Sequence, residues 1–206
     1  MKGDRKKMLR TRVAQEAAML LYTSQENEYK QAKQRGADTL GARVFPSNFE
    51  VAEELDKIAD EREGVGRKEL LLRMRMEAKV IMETLKNFNP RLVGSVWRGT
   101  ARQNSDIDIE TFVQDYLLVV DQLQKHNYSI KSSEWCSITK KGKKESSFHI
   151  NVILNSGDFV EVVVRNLESL GQSERCEIYG DFKKGLNLKQ LADALEDNPL
   201  KSFVPI

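Results

Sequence analysis

Near the middle of the chain, Gly94-Ser95 is followed, with ten residues between, by Asp106-Ile107-Asp108. These residue types suit a site for phosphate and metal. Hard divalent cations prefer carboxylate oxygens. On a strand, residues i and i+2 point to the same face about 7 Å apart. Asp106 and Asp108 can therefore aim two carboxylates at one place while Ile107 and Ile109 face a core. Glu110 lies one step further along that face and reads as a solvated strand residue. Gly94 lets backbone approach a phosphate closely, Ser95 offers a hydroxyl, and the first N–H groups of a following helix would point at the anion. Arg98 and Arg102, about one turn apart, are placed to add positive charge. A displacement at phosphorus develops charge on both the attacking and the leaving oxygen, which suits two metal ions.

These residues need a strand, a short helix and a second strand to bring them together. Arg91-Leu92-Val93 reads as the first strand, Ser95 to Ala101 as the helix and Arg102 to Ser105 as a polar turn. Asp106 to Val113 alternates acid or polar with Ile and Phe, the period of a half-buried strand. Tyr116 to Lys125 has helical spacing, and strand-like runs follow at 128–131, 148–154 and 159–164. The last two flank Asn155-Ser156-Gly157-Asp158, a four-residue hairpin loop. A helix from Leu188 to Glu196 closes the pattern. Upstream, Arg10 to about Lys33 predicts one helix, which Gly36 and Gly41 end. Ser47-Asn48-Phe49-Glu50 is a capping box opening a second helix that buries Val51, Leu55 and Ile58. Glu63-Gly64-Val65-Gly66 breaks it, and a third runs from Arg67 to Phe88, stopped by Asn89-Pro90. The fold class is α+β, divided into a helical N-terminal extension (1–63), a core (64–170) and a C-terminal tail with one helix (171–206).

Composition narrows the setting. Lys and Arg number 33 against 31 acids, a formal charge of +2, which argues against a protein that coats nucleic acid over its whole surface. Arg5-Lys6-Lys7 and Lys140-Lys141-Gly142-Lys143-Lys144 read as a solvated terminus and a solvated hairpin turn. Cys136 and Cys176 are too few for a zinc site or a disulfide framework and read as free thiols. The longest apolar runs, such as Ala17 to Tyr22, are far shorter than a membrane span, so a cytoplasmic location is expected. Gly94 and Gly99 have the spacing of a P-loop, but no Lys precedes Thr100. His149 reads as a core or rim histidine with a hydrogen bond, and Trp97 and Trp135 as packed aromatics.

The run from Leu92 to Ile109, LVGSVWRGTARQNSDIDI, resembles the nucleotidyltransferase superfamily typified by DNA polymerase β. The shared pattern is an apolar residue, Gly-Gly or Gly-Ser, a spacer, then Asp-apolar-Asp or Asp-apolar-Glu. The Arg-rich spacer is most similar to the small minimal nucleotidyltransferases of archaea and bacteria, and the resemblance covers roughly residues 67–165. It implies a polymerase β-like core, a mixed sheet with flanking helices. It also implies a third carboxylate on a later strand, which falls on Glu161, where the family more often has Asp. Asp106, Asp108 and Glu161 would then hold two Mg²⁺ ions, with Mn²⁺ as an alternative, and Gly94, Ser95, Arg98 and Arg102 would hold a nucleoside triphosphate. ATP is the commonest donor of the small members. The acceptor, an RNA, a protein or a small molecule, is left open. Two other readings stand beside this one: an inactive module that binds a nucleotide or RNA, and an antitoxin-like partner protein. The apolar stripe of the N-terminal helices would serve docking or oligomerisation there.

Overall fold

The computed structural model describes residues 2–140, 143–172 and 174–205. The chain folds as two units: 1–67 with 175–181, and 68–174 with 182–204. No helix among the described residues is long and apolar enough to cross a membrane.

In the first unit, the single helix expected from Arg10 to Lys33 is two, α1 (Lys2–Tyr22) and α2 (Tyr29–Thr39). The chain reverses at Ser24, whose φ of 54° is left-handed, and the N–H groups of Gln25 and Glu26 both reach back to the Leu20 carbonyl. Thr23 competes with helical bonding by donating its hydroxyl to the Met19 carbonyl at 2.8 Å. Gly36, expected to break the helix, lies buried inside α2. A Cβ there would stand 3.2 Å from the Ala17 nitrogen and 3.3 Å from the Val13 oxygen, so the glycine permits α2 to cross α1 closely. The capping box forms as expected: Glu50 N–H donates to Ser47 Oγ at 3.1 Å, and Ser47 N–H to Glu50 Oε2 at 2.8 Å. It opens α3 (Asn48–Thr84), which breaks at Gly64 (φ 54°, ψ −125°). Before that break Val51 and Leu55 are buried against Ala14, Ala17 and Leu21, with Ile58 at the margin. Beyond it the Arg67 guanidinium reaches back to the carboxylates of Asp56 and Asp60.

In the second unit, the later part of α3 buries Leu71, Met74, Ala78, Ile81 and Leu85. Asn89, at φ 50°, turns the chain before Pro90. There follow β1 (Arg91–Val93), α4 (Gly94–Arg98), β2 (Ile107–Phe112), α5 (Leu117–Lys125), β3 (Ser129–Lys140), β4 (Lys143–Ile153), β5 (Phe159–Arg165), β6 (Leu186–Asn187) and α6 (Leu188–Asp197). The six strands form one mixed sheet in the order β3-β4-β5-β2-β1-β6. Among the described residues β2 and β5 pair in parallel, and the other neighbours are antiparallel. Ile107, Ile109, Val160, Val162, Ile150 and Val152 turn one face of this sheet into the core, against Leu85, Val119 and Leu123. Alternation therefore sends Asp108, Glu110, Glu161 and His149 to the opposite face. The Asn155–Asp158 loop closes as expected, with Leu154 N–H on the Asp158 carbonyl at 3.0 Å and Gly157 at φ 91°.

Strands β3 and β4 are much longer than the sequence pattern indicates. Ser132, Ser133, Glu134 and Ser137 lie exposed on an edge strand, where no buried face imposes apolar alternation. The lysine-rich run expected as a hairpin turn continues both strands, with Lys140 opposite Lys143; Lys141 and Gly142 lie outside the described residues. The two-residue β6 is too short to leave a periodic signal.

Candidate active site

Gly94 leaves β1 with φ 69° and starts α4. Val93 stands opposite Asp108 in the β1–β2 register. A Cβ on Gly94 would lie 1.8 Å from Asp108 Oδ2. The glycine is therefore required twice, by its backbone conformation and by the carboxylate that fills the space of its missing side chain. Gly99, at φ 80°, ends α4, and the Ser95 hydroxyl has no hydrogen-bond partner among the described residues. The Arg102–Ser105 turn closes through two bonds: Arg102 N–H donates to Ser105 Oγ at 3.0 Å, and Ser105 N–H to the Arg102 carbonyl at 2.9 Å. It delivers Asp106 to the mouth of β2.

Asp108 and Glu161 face each other across the parallel β2–β5 pair. Burial, then the Glu161, Asp106 and Glu110 charges, push the Asp108 pKa up to about 7, with Lys183 pulling weakly the other way. Burial and then the Glu161 charge also raise Asp106. Three carboxylates thus converge and repel one another. Among the described residues they do not close into a ready-made metal cluster. One reason is visible: Glu161 Oε1 is bound to His149 Nδ1 at 2.8 Å, while His149 Nε2 meets Ser147 Oγ at 2.8 Å. The histidine does make the hydrogen bond expected of it, but with the third carboxylate. The hairpin loop could have revealed this partnership, since counting outward from Asn155–Asp158 sets Asn151 opposite Glu161 and puts His149 two residues beyond.

The two arginines of the spacer differ. Arg102 keeps a half-buried side chain with no partner among the described residues. Arg98 is buried, its guanidinium 4.0 Å from the Trp97 ring centroid and donating to the Phe203 carbonyl at 2.8 Å. It is engaged in packing the C-terminal segment rather than presented to solvent beside Ser95. Arg75, which reads as an ordinary helix cation, is fully buried and carries α4 from behind. It donates to the carbonyls of Val96 (3.1 Å), Trp97 (3.0 Å), Pro199 (2.6 Å) and Lys201 (2.9 Å). No sequence signal distinguishes it from its exposed neighbours. Glu110, expected to be solvated, is bound by Arg165 Nη2 at 2.9 Å. Asp158, in the hairpin loop, is held by Arg73 through two bonds of 2.9 Å.

No protein-family model matches the chain, and no curated protein matches it in sequence. Several solved structures are similar to part of it. Over 54% of its length the chain is similar to Cid1, an RNA terminal uridylyl transferase, with 13% identity, a TM-score of 0.36 and 36% of that chain covered. A cytoplasmic RNA terminal U-transferase is similar over 57% of this chain and 34% of its own, with 16% identity and a TM-score of 0.29. The GLD-2/RNP-8 complex is similar over 55% of this chain and 45% of the other, with 17% identity and a TM-score of 0.35. The chain spans about a third of the length of the first two.

Proposed function

We propose that the chain is a metal-dependent nucleotidyltransferase of the polymerase β-like kind, which moves a nucleoside monophosphate from a triphosphate to an acceptor hydroxyl. One observation carries this reading: the Asp108 carboxylate occupies the space of a Gly94 side chain while standing in register with Glu161. A phosphate-approach loop and a carboxylate cluster are thereby one site. The donor set is all oxygen and its carboxylates repel one another, the surroundings that a hard divalent cation fits. Asp106, Asp108 and Glu161 would hold Mg²⁺, two ions or with Mn²⁺ in their place. Bound there, the ions supply neutralisation of charge on the attacking and leaving oxygens.

The chain's own groups set the geometry. Gly94 and Ser95 take the triphosphate, with ATP as the proposed donor, and Arg102 adds a free cation near its negative charge. His149 orients Glu161 by holding one of its oxygens. In the transfer, the acceptor oxygen bonds to the α-phosphorus, the α–β bridge breaks and pyrophosphate leaves. The hydroxyl proton would pass to the carboxylate cluster, in which Glu161 is proposed as ligand or general base. With labelled triphosphate, Mg²⁺ and cell extract, Asp106→Ala is expected to abolish pyrophosphate release by at least 100-fold while circular dichroism stays unchanged. Full activity in that variant would end this assignment. Mg²⁺–nucleotide binding without any pyrophosphate release in the unaltered protein would favour a binding module instead.

A further inference from the structure

Past the carboxylates, the same face of the sheet opens into a cavity of about 600 Å³ lined by Arg91, Glu110, Arg165 and Lys183. It is the continuation of the site. Side chains two apart on a strand share a face about 7 Å from one another. Asp108 leads to Glu110, Glu161 leads through Val163 to Arg165, and Arg91 stands opposite Glu110 in register.

The charges in this cavity do not balance. Arg165 bridges Glu110 at 2.9 Å and Glu174 at 3.2 Å, and Lys183 Nζ lies 3.7 Å from Glu174. Three cations thus meet two carboxylates, and Arg91 is the one with no carboxylate partner among the described residues. Its side chain is nevertheless held in place. A Cβ on Gly185, at φ 63°, would lie 2.5 Å from Arg91 Cγ and 2.7 Å from Cδ, so the glycine exists where the arginine stem passes. The guanidinium carbon sits 5.6 Å from the Phe112 ring centroid. A second cavity, of about 400 Å³, shares Arg91, Gln172 and Lys183 and adds Lys184. A guanidinium fixed by packing, unmatched in charge and flanked by lysines is a ready partner for a tetrahedral or planar oxyanion.

We infer that this cavity is the acceptor's subsite, and that Arg91 with Lys183 binds a phosphate carried by the acceptor close to its reacting hydroxyl. The acceptor role depends on nucleotidyl transfer as proposed above, whereas the phosphate site depends only on Arg91, Lys183 and the cavity. Arg91 stands opposite Glu110, the next residue after Asp108 on that face, so a phosphate at Arg91 would lie near the carboxylates, as phosphate and hydroxyl lie near each other within one nucleotide. Ser146, Asn166 and Gln172 supply neutral hydrogen-bonding groups for a sugar or base. The acceptor class is therefore a nucleotide, free or as the end of a single strand.

The test is calorimetric titration of the full chain with a nucleoside 5′-monophosphate, in saturating Mg²⁺ and a non-hydrolysable triphosphate that fills the donor site. Binding is expected to persist, to weaken at least tenfold in Arg91→Gln and in Lys183→Gln, and to be largely kept in Arg91→Lys. The unphosphorylated nucleoside is expected to bind more weakly and with the same affinity to all variants. Displacement by the triphosphate analogue, equal affinity for nucleoside and monophosphate, or indifference to both glutamine variants would overturn the subsite. Failure of nucleotidyl transfer alone would show instead as intact monophosphate binding without pyrophosphate release. A 5′-phosphorylated trinucleotide separates the two sources. Tighter, strongly salt-dependent binding assigns a strand end, and affinity equal to that of the monophosphate assigns a free nucleotide.

Discussion

At Gly94 the absence of a side chain makes room for a carboxylate. Asp108 Oδ2 lies where the Cβ would be, so any substitution must move either the loop or the carboxylate. Gly94→Ala places a side chain at φ 69°, which costs about 1–2 kcal/mol in a left-handed conformation. It also expels Asp108 from its position, and a displacement of about 1 Å at a reacting centre can cost about 100-fold in rate. The expected outcome is a loss of about 100-fold or more in kcat/KM for the triphosphate, with a modest fall in the urea midpoint. Steady-state kinetics and equilibrium unfolding on the same preparation check both parts. Asp108 itself was legible in the sequence because Asp-x-Asp on an alternating strand fixes the face. Its repulsive company was not, since Glu161 lies far along the chain and reaches Asp108 only through the β2–β5 pairing.

At the scale of elements, α4 is short and depends on what holds its buried carbonyls. Arg75 binds two of them, together with two from the segment after α6, so one buried guanidinium links α4 to residues 199–201. Burial lowers its pKa to about 10, still charged at neutral pH, and carbonyl dipoles rather than a carboxylate stabilise the charge. Arg75→Met would leave these acceptors without their donor in the interior, costing about 3 kcal/mol or more. Arg75→Lys should not restore them, because one ammonium cannot span four carbonyls in a fork. The expected result is a lowered unfolding midpoint in both variants and, where Arg75→Lys still folds, a raised KM for the triphosphate with kcat less affected. The strands that carry Asp108 and Glu161 were readable because each has a buried face. The long edge hairpin, the α1–α2 reversal and Arg75 were not, because exposure, a left-handed serine and a buried cation leave no periodic mark.

For the whole molecule, the site's charge sets a pH dependence of stability. Asp108 titrates near pH 7 in the folded chain and near the ordinary carboxylate value when unfolded. A raised carboxyl pKa means that the folded state binds more protons. Asp108 therefore favours the folded state below about pH 4 relative to neutral pH, and that advantage is lost as pH rises to about 7, with little change beyond. Asp106 shifts in the same direction and adds to the slope. A divalent cation held by the ionised carboxylates opposes this loss, because binding to the native state alone raises stability by mass action. The melting temperature without metal is accordingly expected to fall between pH 5 and pH 7 through this site's contribution. Added Mg²⁺ should raise it more at pH 8 than at pH 5.5. In Asp108→Asn the local contribution to the fall should shrink and most of the Mg²⁺ effect should vanish. Thermal unfolding of both proteins across this pH range, with and without Mg²⁺, measures each of these. An unchanged Mg²⁺ effect in Asp108→Asn would place the metal elsewhere.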